Sequence, residues 1–147
     1  MIYIGIDPGK NGGLAWIKDS GKAEGERLNI ETLASRLRVI TGNGSIPAKC
    51  YVEKVHSMPK QGVASTFSFG TNYGFILGAL TAVGVNYELV QPSVWKKAMG
   101  VTADKRTSIK RCKELFPDVD LKATARCKKD HDGMAEALLI AEYGRTQ

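Results

Sequence analysis

The opening run, MIYIGIDPGKNGGLAWI, leaves the start of the chain little freedom. Ile2, Ile4 and Ile6 alternate with Tyr3, Gly5 and Asp7, which makes residues 2–7 a strand with two unlike faces. Pro8 and Gly9 stop that strand, and a second apolar run starts at Gly12 and continues to Ile17. Two strands joined by so short a Gly-rich turn form an antiparallel hairpin. The first strand ends in a carboxylate. Asp7 is either a simple Asx-turn residue or one member of a charged site, and the rest of the chain has to discriminate.

After the hairpin, polar residues 18–26 contain the next turn and lead into a short third strand. Leu33, Leu37 and Ile40 mark one face of a helix over 30–40. Residues 50–55 (CYVEKV) read as a strand, 65–83 as a long helix rich in Ala, Gly and aromatics, and 86–90 as another strand. Pro92 starts a short helix to Met99, a cationic helix covers 103–116, residues 122–129 form a basic loop, and a final helix spans 131–143. A hairpin followed by alternating strands and helices predicts an α/β fold with a mixed sheet. At 147 residues with no linker or repeat, the expectation is a single domain over 1–147.

The charge is unevenly spread. The formal net charge is +6, but residues 96–129 alone carry eleven Lys/Arg against four Asp/Glu, while residues 130–147 carry one against four. A basic block of this kind suits a phosphate-rich partner, although a solvated helix face accounts equally well for any single lysine in it. No apolar run approaches the roughly 18 residues of a bilayer span, so no membrane association is expected. There is no secretory pattern, and Cys50, Cys112 and Cys127 fit neither a disulfide framework nor a zinc motif. A reducing cytoplasm is the expected setting.

Four acids occupy places where acids are unusual. Asp7 ends an apolar strand, and Glu53 shares a strand face with Tyr51 and Val55. Asp132 and Glu136 are four apart on a helix whose other residues are almost all apolar, so both project from one side of it. Taken singly, Glu53 could lie on an exposed strand, Asp132 could favour the helix dipole, and Glu136 could face solvent. Asp130, just before the helix, is the better N-cap candidate. Taken together, half-buried carboxylates cost several kcal/mol each unless a positive charge offsets them. A lysine can do this, but hard divalent cations such as Mg²⁺ or Mn²⁺ suit an all-oxygen set better.

GIDPG with Asp7, YVEKV with Glu53, PSVWKKAMG followed by a basic helix, and DGMAEALLIA in the last helix together resemble the RuvC-type Holliday junction resolvases of the RNase H-like superfamily. The compactness of the chain and the wording of these motifs resemble phage members of that family. GIDPG alone also opens sugar kinases and actin-like ATPases, but those need a second half-domain for which 147 residues leave no room. The resemblance implies an RNase H-like fold, a mixed five-stranded sheet flanked by helices with the acids at one end. It assigns Asp7, Glu53, Asp132 and Glu136 as catalytic metal ligands, with Asp132 one residue from the family's usual spacing, so that Asp130 stays open as a ligand. In some members an aromatic side chain three residues after the glutamate wedges into the junction; His56 stands there, with Phe67 and Phe69 beyond it.

The activity this implies is Mg²⁺-dependent (or Mn²⁺-dependent), two-metal-ion hydrolysis of four-way DNA junctions, leaving 5′-phosphate ends. Lys96, Lys97, Lys105, Arg106, Lys110, Arg111, Lys128 and Lys129 are the expected DNA-backbone contacts. A junction has two symmetric strands to cut, so a homodimer is expected, with the 65–83 helix as its interface by resemblance. Plain core packing is the alternative for that helix. The rival readings are a less selective flap or branched-DNA nuclease and a junction-binding module that does not cleave.

Overall fold

The computed structural model describes all 147 residues. Five strands form one sheet: β1 (Ile2–Asp7), β2 (Gly13–Lys18), β3 (Ala23–Arg27), β4 (Ala48–Glu53) and β5 (Asn86–Val90), in the order β3-β2-β1-β4-β5. β1 pairs antiparallel with β2, and β2 with β3, whereas β1–β4 and β4–β5 are parallel. This is the mixed sheet expected from the element order, with the five strands that the resemblance implies.

Because side chains alternate along a strand, the sheet sorts them to two faces. Ile2, Ile4, Ile6, Leu14, Trp16, Cys50 and Val52 meet helices α1 (Leu33–Ile40) and α2 (Val63–Ala82) through Leu33, Leu37, Ile76 and Leu80. On the opposite face, Ala15, Tyr51 and Val90 pack against α3 (Pro92–Met99), α4 (Lys105–Leu115) and α5 (Asp132–Arg145). Helix α5 is buried from Gly133 to Glu142 because the sheet covers one side and α3 and α4 the other. Its backbone lies directly on β1: a Cβ added to Gly5 would stand 2.1 Å from the Ala137 carbonyl oxygen. A Cβ at Gly13 would stand equally close, at 2.1 Å, to the Gly133 carbonyl oxygen. These two contacts need glycine, and they hold the first half of α5 at the end of β1 where Asp7 sits.

The elements differ from expectation mainly at their ends. Residues 30–32 form a 3₁₀ turn ahead of α1, capped by Asn29, whose side-chain oxygen accepts from Glu31 N at 3.0 Å. Strand β4 runs from Ala48 and stops at Glu53, so Val55 lies beyond it. The N-cap of α5 is His131 rather than Asp130: its Nδ1 accepts from Met134 N at 3.0 Å. Asp130 is drawn off into ion pairs with Lys113 (2.6 Å) and Lys122 (3.7 Å). Helix α2 stands apart. It has twenty residues but buries only Ile76, Ala79 and Leu80, leaving Phe67 77% and Phe75 54% exposed. No helix is long and apolar enough to cross a membrane.

Candidate active site

Asp7 and Glu53 are the last residues of β1 and β4, two neighbouring parallel strands. Period-two alternation puts both on the face that α5 covers. Glu136 lies one helical turn into α5 and is 2% exposed; Asp7 is 6% exposed. Glu53 and Asp132 are half-buried. The Asp7 carboxylate accepts from Gly9 N at 3.1 Å, the Asx-turn contact anticipated for it, so its turn role and its place in a charged cluster coexist.

Three residues from elsewhere in the chain reach the cluster. The ammonium of Lys105, at the start of α4, is 3.3 Å from Glu136 Oε2 and 3.4 Å from Asp132 Oδ2. Trp95 of α3 is fully buried, and its Nε1 donates to Glu53 Oε2 at 2.8 Å. The buried Ser108 hydroxyl stands 3.5 Å from Glu136 Oε1, at the outer limit of a hydrogen bond.

The electrostatics follow from burial and crowding. Burial pushes the Asp7 carboxyl up to about 7; the Gly9 N–H works against this, the neighbouring Glu136 and Glu53 add to it, and Lys105 opposes it. Glu53 is raised too, first by burial and then by Glu136, against the Trp95 hydrogen bond and the lysines Lys96 and Lys105. Burial alone would lower Lys105, but Glu136, Asp7 and Asp132 outweigh it and hold its ammonium above its ordinary range. Asp7, Glu53 and Glu136 therefore feel one another, as carboxylates of one site do.

No three His, Cys, Asp or Glu side chains stand together in a shell able to hold a metal ion. The lysine offset weighed from the sequence is present instead, with Lys105 bridging Asp132 and Glu136. The donor set itself is all-carboxylate and faces a single ammonium, which is the chemistry a hard divalent cation requires. On donor chemistry, Asp7, Glu53, Asp132 and Glu136 fit Mg²⁺ or Mn²⁺.

The expected DNA contacts are dispersed. Lys105 belongs to the acidic cluster rather than to an open cationic face. Arg106 is tied to Asp104 at 2.8 Å, and Arg111 to Glu114 at 3.2 Å and to the Met99 carbonyl at 3.1 Å. Lys96 lies 5.4 Å from the centre of the Trp95 ring, while Lys97 and Lys110 are exposed. Lys128 and Lys129 line a cavity of about 420 Å³ together with Asp132 and His131. His56 is exposed after β4 and lines a cavity of about 110 Å³ with Phe69 and Tyr73. Trp95 escaped the sequence reading, because an indole in an amphipathic helix carries no local sign that its N–H reaches a carboxylate 42 residues away.

Neither a family model nor a curated protein matches the sequence. Solved structures do match. The Thermus thermophilus RuvC in complex with a Holliday junction substrate superposes with a TM-score of 0.64 at 18% identity, over 97% of this chain and 92% of that one. Thermus thermophilus RuvC in another structure gives 0.58 at 20% identity, over 99% and 96%. The yeast mitochondrial Holliday junction resolvase gives 0.53 at 14% identity, over 95% and 75%. The chain thus has the RuvC-type, RNase H-like fold from end to end, as its motifs led one to expect.

Proposed function

We propose that this protein is a divalent-metal-dependent endonuclease that resolves four-way DNA junctions. The observation that supports the reading is that, at one end of a RuvC-type sheet, Glu136 adds to burial in raising Asp7 and Glu53, while Lys105 joins Asp132 to Glu136. One matched structure is of a RuvC bound to a Holliday junction substrate, which supports the choice of substrate.

In this reading the four carboxylates hold Mg²⁺ or Mn²⁺, two ions per site. When bound, such ions supply Lewis acidity for activating water and for stabilising the leaving oxygen. The chain's own residues prepare that site. Gly9 N fixes one Asp7 oxygen, and Trp95 fixes one Glu53 oxygen. Lys105 bridges Asp132 and Glu136 and offsets part of their charge, and its ammonium would be free to meet a phosphate oxygen if cations were held by those carboxylates. Burial of Asp7 and Glu136 keeps bulk water from competing for the carboxylate oxygens. The expected products carry 5′-phosphate ends.

A homodimer belongs to the same proposal. Gly70, Gly74 and Gly78 repeat every four residues along α2 with open space where a Cβ would be, beside the exposed Phe67 and Phe75. That face offers a second α2 both close approach and apolar area.

The test is incubation of the protein with a synthetic four-way junction and a linear duplex, each with Mg²⁺ and with EDTA. Junction cleavage with Mg²⁺ alone is expected, and Asp7→Asn or Glu53→Gln should abolish it while sparing junction binding. Binding without cleavage in any metal would instead identify a junction-binding module. The bridging of Asp132 and Glu136 by Lys105, with no three acids set together, is the observation that favours that second reading.

A further inference from the structure

Of the five cations of helix α4, only Lys110 stands outside an ion pair. Lys105 pairs with Asp132 and Glu136, Arg106 with Asp104, Arg111 with Glu114, and Lys113 and Lys122 with Asp130. An ammonium or guanidinium held by a carboxylate has to leave it before it can neutralise a phosphate. Like Lys97, Lys110 and Arg126, four cations near the carboxylates, Lys10, Arg27, Lys128 and Lys129, are exposed and take part in no ion pair. Two of these, Lys10 and Arg27, lie outside the basic block altogether, in a part of the chain whose charges nearly balance.

The fold gathers these four on one side of the carboxylates. Lys128 and Lys129 line the cavity of about 420 Å³ that contains Asp132. Lys10 lines an adjoining cavity of about 660 Å³ over the β1–β2 turn. Asn11 and Arg27 belong to both cavities, so they form the waist of one continuous groove. Strand register fixes where that waist is. Asp7 stands opposite Gly13, and Gly13 stands opposite Arg27, so the acid and the guanidinium end a single row across β1, β2 and β3. Two strand spacings separate their Cα atoms, roughly 10 Å. Neutral donors, Asn29 and Asn72, continue the groove towards α2.

We infer that a DNA strand entering the carboxylate cluster continues across the β1–β2 turn and the end of β3, with Arg27 as its central phosphate contact and Lys10, Lys128 and Lys129 beside it, rather than along the cationic helix α4. This strand path rests on the nuclease reading for its direction, but it is tested by binding alone.

The experiment measures affinity for a synthetic four-way junction in EDTA between about 50 and 200 mM salt, for the wild type and for Arg27→Ala, Arg27→Lys and Arg106→Ala. Each phosphate contact contributes about 0.9 to the slope of log K against log salt. Arg27→Ala should lose about that much slope and Arg27→Lys should keep it; Arg106→Ala should lose less than half as much. Thermal melting of Arg27→Ala equal to wild type shows that the loss is not unfolding. A wild-type slope in Arg27→Ala, or an equal or larger loss in Arg106→Ala, overturns the path. Loss of slope in Arg27→Ala from a wild type that never cleaves with Mg²⁺ keeps the path and overturns the nuclease reading alone. A wild type whose binding does not depend on salt overturns the path and leaves the nuclease reading to the cleavage test.

Discussion

Trp95 Nε1 donates to Glu53 Oε2 at 2.8 Å, joining helix α3 to the end of strand β4. A fully buried indole needs a partner for its N–H, and a strand-end glutamate needs something to hold its orientation. One contact meets both needs. It also explains how Glu53 stays in the cluster with no cation in direct contact.

Trp95→Phe keeps the ring and loses the donor. Under the proposed function it should raise the Mg²⁺ concentration for half-maximal cleavage about tenfold, the lower end for a residue that orients a metal ligand. Junction affinity in EDTA should not change. A Mg²⁺ titration of cleavage checks this; a wild-type midpoint would show that Glu53 is positioned without the indole.

Lys105 is the cation that compensates Asp132 and Glu136 in the metal-free protein. Lys105→Met should lower the melting temperature in EDTA by about 3 °C, given an ion-pair contribution of about 1 kcal/mol. Added Mg²⁺ should restore more stability to this variant than to the wild type. Equal melting of both proteins in EDTA would mean that the cluster does not depend on the ammonium.

Asp7 gives the metal-free protein a definite pH dependence. Its folded-state value of about 7 lies above the ordinary 3.8, so between those values the folded state keeps a proton that the unfolded state has lost. Stability therefore falls as pH rises from about 4 to 7, by at most about 4 kcal/mol, and the loss is complete above 7. Asp7→Asn lacks this titration. In EDTA it should gain on the wild type in urea unfolding as pH goes from 5 to 8. Parallel midpoints for the two proteins across that range would rule the effect out.

The seat of α5 depends on Gly5. A Cβ there meets backbone, the Ala137 carbonyl oxygen at 2.1 Å and Ala141 N at 2.5 Å, and backbone cannot rotate away. Gly5→Ala should cost about 3 kcal/mol or more and displace Glu136 from Asp7. Urea unfolding gives the cost, and loss of cleavage under conditions where the variant is still folded reports the displacement.

Phe75 lies on the open face of α2, 54% exposed. If α2 forms the dimer interface, Phe75→Glu should shift sedimentation from dimer to monomer with the monomer fold intact by circular dichroism. A wild type already monomeric at micromolar concentration would leave α2 without that role.

The sequence by itself determined what depends on period and turn chemistry. Alternation in IYIGID and CYVE placed Asp7 and Glu53 on the same face as Tyr3 and Tyr51, and four-residue spacing placed Asp132 and Glu136 on one side of the last helix. The order of strands and helices fixed the mixed sheet. Tertiary structure alone decided which partners those acids meet. The Trp95–Glu53 bond, the capture of Lys105 by the acids, the diversion of Asp130 to Lys113 and the row from Asp7 through Gly13 to Arg27 all join residues distant in sequence. Local pattern records which way a side chain points, but not what a distant segment brings to it. For the same reason net charge located the basic block, and only the ion pairs showed which of its cations are free to meet a phosphate.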